Sequence, residues 1–175
     1  MIHEYLGMTL DFNGQSKHWD GEKYLDRLMQ DLPEDMIDHA TTPKAAHLFY
    51  TRAGAMKLSD QDKGLFHMWV AKLLFLIKQA RPDILMAIYF LCTRVHIPDQ
   101  YDYEMLCWVV QYIWVTKQLW LALEIQDIAV IEWWVDAAYA PHPDMRSHTG
   151  QILSLVSGAV YLSYSKQKIN TWSST

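Results

Sequence analysis

Trp133-Trp134-Val135-Asp136-Ala137-Ala138-Tyr139-Ala140-Pro141-His142 reads as an apolar strand that ends by presenting one aspartate, followed by a loop. A strand-end carboxylate between apolar flanks is held rigidly, and a hard oxygen ligand suits magnesium. Asp136 is therefore the candidate metal ligand of the chain. The plainer alternative is a carboxylate that caps a turn or faces water.

Working outward, the neighbouring segments read as strands too. After Lys117-Gln118 the period changes from helical to alternating: Leu119, Leu121 and Leu123 alternate with Trp120, Ala122 and Glu124. Residues 128–135 form the next expected strand. Two more are expected around 152–155 and 159–164, joined by a turn at Ser157-Gly158. On the N-terminal side, residues 5–12 read as one strand. Asn13-Gly14 marks a hairpin turn, and Lys17-His18-Trp19 a short return.

Between these β regions the period is helical. Tyr24, Leu25, Leu28, Met29 and Leu32 recur at helical spacing, with Pro33 as the stop. Residues 33–58 have little periodicity and read as a linker. Ser59 then caps a long helix with Leu65, Phe66, Trp69, Val70, Leu73, Leu74 and Ile77 on a wide apolar face. Arg81-Pro82-Asp83 breaks it and restarts a second helix, with Ile84, Ala87, Ile88, Leu91, Cys92 and Val95 inward. A third helix is expected over 101–116, after a turn at Pro98-Asp99. Its apolar residues surround the axis, so it is either buried on all sides or covered by a partner. The plan is α+β: an N-terminal β-hairpin and helix, a three-helix segment, and a C-terminal antiparallel sheet.

Bulk properties narrow the function. Half of the 175 residues (51%) are hydrophobic and the formal net charge is −5. That balance excludes disorder over the whole length and argues against a strongly basic, autonomous nucleic-acid binder. Cys92 and Cys107 sit in apolar helical patterns and read as buried free thiols. The apolar stretch 65–77 is interrupted by His67 and Lys72 and is too short to span a membrane. No secretory signal is visible, so a soluble intracellular chain is expected. His142 and His148 flank a loop without cysteine companions, which argues against zinc. Asp144 reads as a turn residue pairing with Arg146. Arg146, Lys166 and Lys168 are the candidate nucleic-acid contacts, against a plainer reading as a solvated hairpin rim. Ser147, Ser173 and Ser174 have no His/Asp partnership in sequence order and carry no nucleophilic role.

Several separated segments together resemble one family. His3-Glu4-Tyr5-Leu6-Gly7-Met8-Thr9-Leu10-Asp11-Phe12 resembles the "FLG-x-x-hydrophobic" strand after the polymerase palm of copia-type retrotransposons. Ala71-Lys72-Leu73-Leu74-Phe75-Leu76 and Ala80-Arg81-Pro82-Asp83-Ile84 resemble its "G-x-L-x-Y-L … RPDI" helices. Gln111-Tyr112-Ile113-Trp114-Val115-Thr116 stands in the place of "RYL-x-G-T". Trp134-Val135-Asp136-Ala137-Ala138-Tyr139-Ala140 and Arg146-Ser147-His148-Thr149-Gly150 resemble "SDADWA … RRSTSG". Ser165-Lys166-Gln167 and Ser173-Ser174-Thr175 resemble "SKKQ … SST". The marks occur in family order over nearly the whole chain.

The resemblance implies three segments. Residues 1–58 would be the end of a reverse transcriptase palm or thumb-like region, 59–118 a helical connection, and 119–175 an incomplete ribonuclease H-like domain. It implies Mg2+ as cofactor, RNA–DNA hybrid as partner, and Asp136 as the first carboxylate of a two-metal site. The family's aromatic-x-Asp-Asp polymerase motif would lie upstream, and this chain has no adjacent pair of aspartates. The family's next carboxylate is the glutamate after "SST", beyond Thr175. The expectation is thus a truncated, catalytically incomplete fragment whose sheet leaves an exposed edge.

Departures from the pattern matter. Gln111 replaces the family's arginine, Val115 its glycine, and Trp114 and Trp172 stand where polar or basic residues are common. Lost charge weakens phosphate contacts, and added aromatic surface favours a protein partner or self-association. The alternative is therefore a non-enzymatic interaction module or homo-oligomer that uses its aromatic-rich helices, above all the apolar third helix (Met105 to Val115), with Trp108, Trp114 and Trp120.

Overall fold

The computed structural model describes residues 1–5, 8–12, 16–20, 22–30, 32–33, 36, 38–44, 49–119, 121–125, 130–142 and 144–169. The architecture is α+β, with helices and antiparallel sheets. Its elements, in order, are β1 (Ile2–Tyr5), β2 (Met8–Asp11), β3 (Ser16–Asp20), α1 (Glu22–Gln30), α2 (Asp60–Gln79), α3 (Leu85–Cys92), α4 (Gln100–Val115), β4 (Leu121–Ile125), β5 (Glu132–Ala138), β6 (His148–Ser154), β7 (Val156–Ser157) and β8 (Ala159–Lys166).

Local chemistry sets the helix boundaries. Ser59 accepts the Asp62 amide at 3.2 Å, and Asp60 and Asp62 place negative charge in the first turn of α2. Pro82 lacks an N–H and starts a 3-10 turn (Pro82–Ile84) that leads into α3. Asp99 and Asp102 form a reciprocal cap at the start of α4, each carboxylate accepting the other's amide at 3.0 Å. Arg94 bonds to both carboxylates at 2.9–3.2 Å.

The core lies among the helices. Phe66, Trp69, Leu73 and Leu76 of α2 meet Ile88 and Leu91 of α3 and Leu106, Val110 and Ile113 of α4, with Leu25 of α1 in the same cluster. Leu162 and Tyr164 of β8 pack against it, so the last strand joins the sheet to the helices. α4 is buried along most of its surface, but Trp108, Trp114 and Val115 are exposed. The Trp108 indole donates to the Thr42 carbonyl at 2.9 Å, pinning the irregular segment before α2. Cys107 is buried and Cys92 half-buried; both are free thiols. Among the described residues no helix is long and apolar enough to cross a membrane.

Three strand expectations need correction. Residues 5–12 are not one strand: the chain folds back, pairing Ile2 with Asp11 through Tyr5 with Met8. The expected return strand is present as β3, antiparallel to β2, while Asn13 and Gly14 lie outside the described residues. β4 does not join β5. It pairs with β3, from Ser16 with Glu124 to Trp19 with Leu121, and with β7, giving a five-stranded sheet in the order β1-β2-β3-β4-β7. The second sheet has the order β5-β6-β8. Finally, the strand expected over 128–135 runs over Glu132–Ala138. Ladder pairing with β6 continues through Ala138 and His148, which places Asp136 inside the strand rather than at its end. The turn comes later, at Ala140, with φ 47°.

Burial is the larger surprise. β5 was expected to be a buried strand, yet Trp133, Trp134 and Val135 are 59%, 63% and 63% exposed. Strand side chains project from the two faces of a sheet, and β5 borders an open cleft at Trp134 to Asp136; it is also an edge strand, with β6 on one side and, among the described residues, no strand on the other.

Candidate functional site

Asp136, Gly150 and Tyr164 lie side by side on β5, β6 and β8. Gly150 is required there. A Cβ at this position would stand 2.9 Å from Tyr164 Cδ2, so the missing side chain lets the ring lie across the middle strand. Trp134 and Ile152 form the next cross-strand pair. Facing them is the start of α3, with Pro82, Asp83, Leu85 and Met86. Between the two lies a largely apolar cleft of about 370 Å3.

The cleft holds two carboxylates in different states. Asp136 is exposed, and its Oδ1 accepts the amide of Ala137, the next residue on its own strand, at 2.8 Å. Tyr164 feels it: burial raises the phenol's pKa first, and the negative charge of Asp136 adds to the rise. Asp83 is gripped by the buried Arg81 through two parallel bonds of 2.9 and 2.7 Å. Burial works to raise the Asp83 carboxyl. The Arg81 hydrogen bonds and charge overcome it and hold the group below the ordinary carboxylate range.

Arg81 also reaches the end of α4, bonding the Thr116 carbonyl at 2.9 Å and the Thr116 hydroxyl at 2.8 Å. Its guanidinium sits 5.5 Å from the Tyr112 ring centre, and Tyr112 lies near enough to Asp83 to help lower its pKa. The sequence reads Arg81 as part of a helix break and of the segment like "RPDI". Its role as a clamp between α2, α3 and α4 was missed, although a guanidinium two residues before an aspartate could have signalled a fork.

A second cluster brings together residues that sequence placed apart. His142 Nε2 and His148 Nδ1 are 2.7 Å apart, and both rings are buried. His148 stacks on Tyr164 at 4.0 Å between ring centres, and Phe49 meets both imidazoles. Burial, then His142 and Lys166, push the His148 pKa down to about 4. Burial and Lys166 lower that of His142, against a smaller opposing effect from Asp144. This is a neutral, ring-stacked pair.

The candidate basic contacts divide. Asp144 pairs with Arg146 at 3.4 Å, as expected, and more closely with Lys166 at 2.8 Å. Two of the three cations thus converge on one carboxylate, whose pKa the Lys166 hydrogen bond lowers. Lys168 is exposed. Ser173, Ser174, Trp120 and Trp172 lie outside the described residues.

Fold and site together define an α+β protein with an apolar cleft whose rim carries an open carboxylate. No family model, no curated protein and no solved structure matches the chain. Among the described residues, no group of three or more His, Cys, Asp or Glu side chains is placed to hold a metal ion. A magnesium pair does not fit the cleft's donor set: Asp136 offers one open carboxylate, and Asp83 is taken by a guanidinium fork.

Proposed function

We propose that this chain is a copia-type reverse transcriptase and ribonuclease H segment that retains the scaffold for RNA–DNA hybrid handling without a complete metal site. One observation carries it: residues drawn from separate motifs of the resemblance are one another's hydrogen-bond partners. Arg81, from the segment like "RPDI", donates to the carbonyl and the hydroxyl of Thr116, from the segment like "RYL-x-G-T". Gln167, from the segment like "SKKQ", donates to the Thr149 hydroxyl at 2.8 Å and to the Ser147 carbonyl at 2.9 Å, both in the segment like "RRSTSG". Motifs that hold one another in place would tend to persist together after the chemistry is lost, because each supports the fold. The three antiparallel strands β5, β6 and β8, with Asp136 on the first, are consistent with the opening strands of a ribonuclease H-like sheet.

On this reading Asp136 is the remnant of a metal-ligand set, and Lys168 is an exposed basic contact outside the Asp144 ion pairs. Hybrid binding is weak and strongly salt-dependent, because the net charge is negative and Arg146 and Lys166 pair with Asp144. The test is to incubate the chain with a labelled RNA–DNA hybrid in magnesium or manganese. Binding at low salt without cleavage is expected. Cleavage abolished by Asp136→Asn would overturn the incomplete site, and no binding at low ionic strength would overturn hybrid handling.

A further inference from the structure

We propose that β5 pairs edge to edge with β5 of a second copy, making a two-fold dimer with a continuous six-stranded sheet. Natural edge strands are usually guarded by lysine, proline, a bulge or a cover. Over Glu132–Ala138 the sequence is EWWVDAA, with no lysine or proline and only the carboxylates of Glu132 and Asp136 as charges, and its ladder with β6 is unbroken over seven residue pairs. The opposite edge is different. β8 ends on Lys166, Lys168 follows, and Leu162 and Tyr164 hold that strand against the helices.

The occupant follows from the strand's own layout. Its bulk lies in the first half (Glu132, Trp133, Trp134) and its small residues in the second (Ala137, Ala138). Antiparallel self-pairing about Val135 sets Trp133 against the second copy's Ala137, and Trp134 against the second copy's Asp136. Glu132 meets the second copy's Ala138, and Val135 meets itself. Every large residue meets a smaller one, and no carboxylate faces another. Parallel self-pairing would instead stack tryptophan on tryptophan and acid on acid.

Area supports the same occupant. Ile131, Trp133, Trp134, Val135 and Tyr139 are each more than half exposed. With roughly 150–250 Å2 for each aromatic, they offer on the order of 600 Å2 per copy. Edge pairing covers only the part of this surface beside the neighbouring strand, so two copies would bury less than about 1,200 Å2 and a weak, concentration-dependent dimer is expected. The contact uses a strand edge, not the aromatic helices that sequence suggested.

Sedimentation velocity of the full chain over micromolar concentrations, with amide hydrogen exchange, tests the proposal. A concentration-dependent dimer is expected, with β5 amides gaining protection as it forms. Val135→Lys puts two like charges on the axis and should weaken the dimer at least tenfold; Val135 is exposed, so the monomer should stay folded. Tyr161→Lys, on the exposed part of β8, should leave the dimer intact. A strict monomer throughout, or a dimer lost in Tyr161→Lys and kept in Val135→Lys, overturns it.

Discussion

Arg81→Met should destabilise the protein more than any substitution on the cleft rim. The guanidinium, 2% exposed, makes four hydrogen bonds: two to Asp83 and two to Thr116. Methionine fills part of the volume but removes every donor. It leaves the half-buried Asp83 carboxylate unpaired and the last turn of α4 without its Thr116 carbonyl partner. Taken singly, charged hydrogen bonds of about 1.5–3 kcal/mol each would overcount, since the four share one group. Breaking a buried pair costs about 3–5 kcal/mol, and that is the expected loss. Arg81→Lys should recover only part, because an ammonium cannot span both Asp83 oxygens and Thr116.

The pH dependence separates this account from simple loss of packing. In the native protein the Asp83 pKa lies below its unfolded value. Its stabilisation is therefore present above the unfolded carboxylate pKa and is lost as pH falls through the folded one. Without Arg81 burial becomes the largest influence, opposed only by the smaller ones of Tyr112 and the backbone, and the Asp83 pKa should rise. The variant's deficit should then shrink on acidification to about pH 3. Urea unfolding followed by tryptophan fluorescence at neutral and acid pH reads both quantities. A loss below about 1 kcal/mol at neutral pH, or a deficit unchanged in acid, would refute the clamp.

Three more outcomes follow from the same structure. Gly150→Val should lower stability by about 1–3 kcal/mol, because its side chain would drive into the Tyr164 ring; thermal melts should show Gly150→Val, Tyr164→Ala recovering part of the loss. His148 has a folded pKa of about 4 against an ordinary 6.5, so stability should rise with pH across that window. Its contribution of up to about 3 kcal/mol is lost below it, and His148→Phe should flatten the acid limb in a pH series of unfolding curves. Asp99→Ala removes the cap of α4 and an Arg94 contact, and should cost about 1–2 kcal/mol by chemical denaturation.

The helices were legible because their signals are local. Ser59, Pro82 and Asp99 act within three residues of themselves, so caps and breaks can be read directly from the chain. The sheets were not, because pairing is non-local. Nothing near Leu121 says that its neighbour is Trp19, about a hundred residues earlier, rather than β5. The apolar run from Trp133 to Val135 looked buried because such runs usually are. Whether a strand lies inside a sheet or at its edge depends on the other strands. The same limit hid the His142–His148 contact, which needs both the loop that turns at Ala140 and Met145 and the packing of Phe49 from a distant segment. Asp136 was found, but its environment was not. It sits within an exposed ladder, opposite the one glycine that makes room for Tyr164.

Manganese titration followed by electron paramagnetic resonance, with the native chain and Asp136→Asn, tests the central claim most directly. One open carboxylate should give at most weak binding of a single ion, with free-ion signal remaining at stoichiometric metal and little difference between the two proteins. Tight uptake of two exchange-coupled ions by the native chain, abolished in Asp136→Asn, would contradict it.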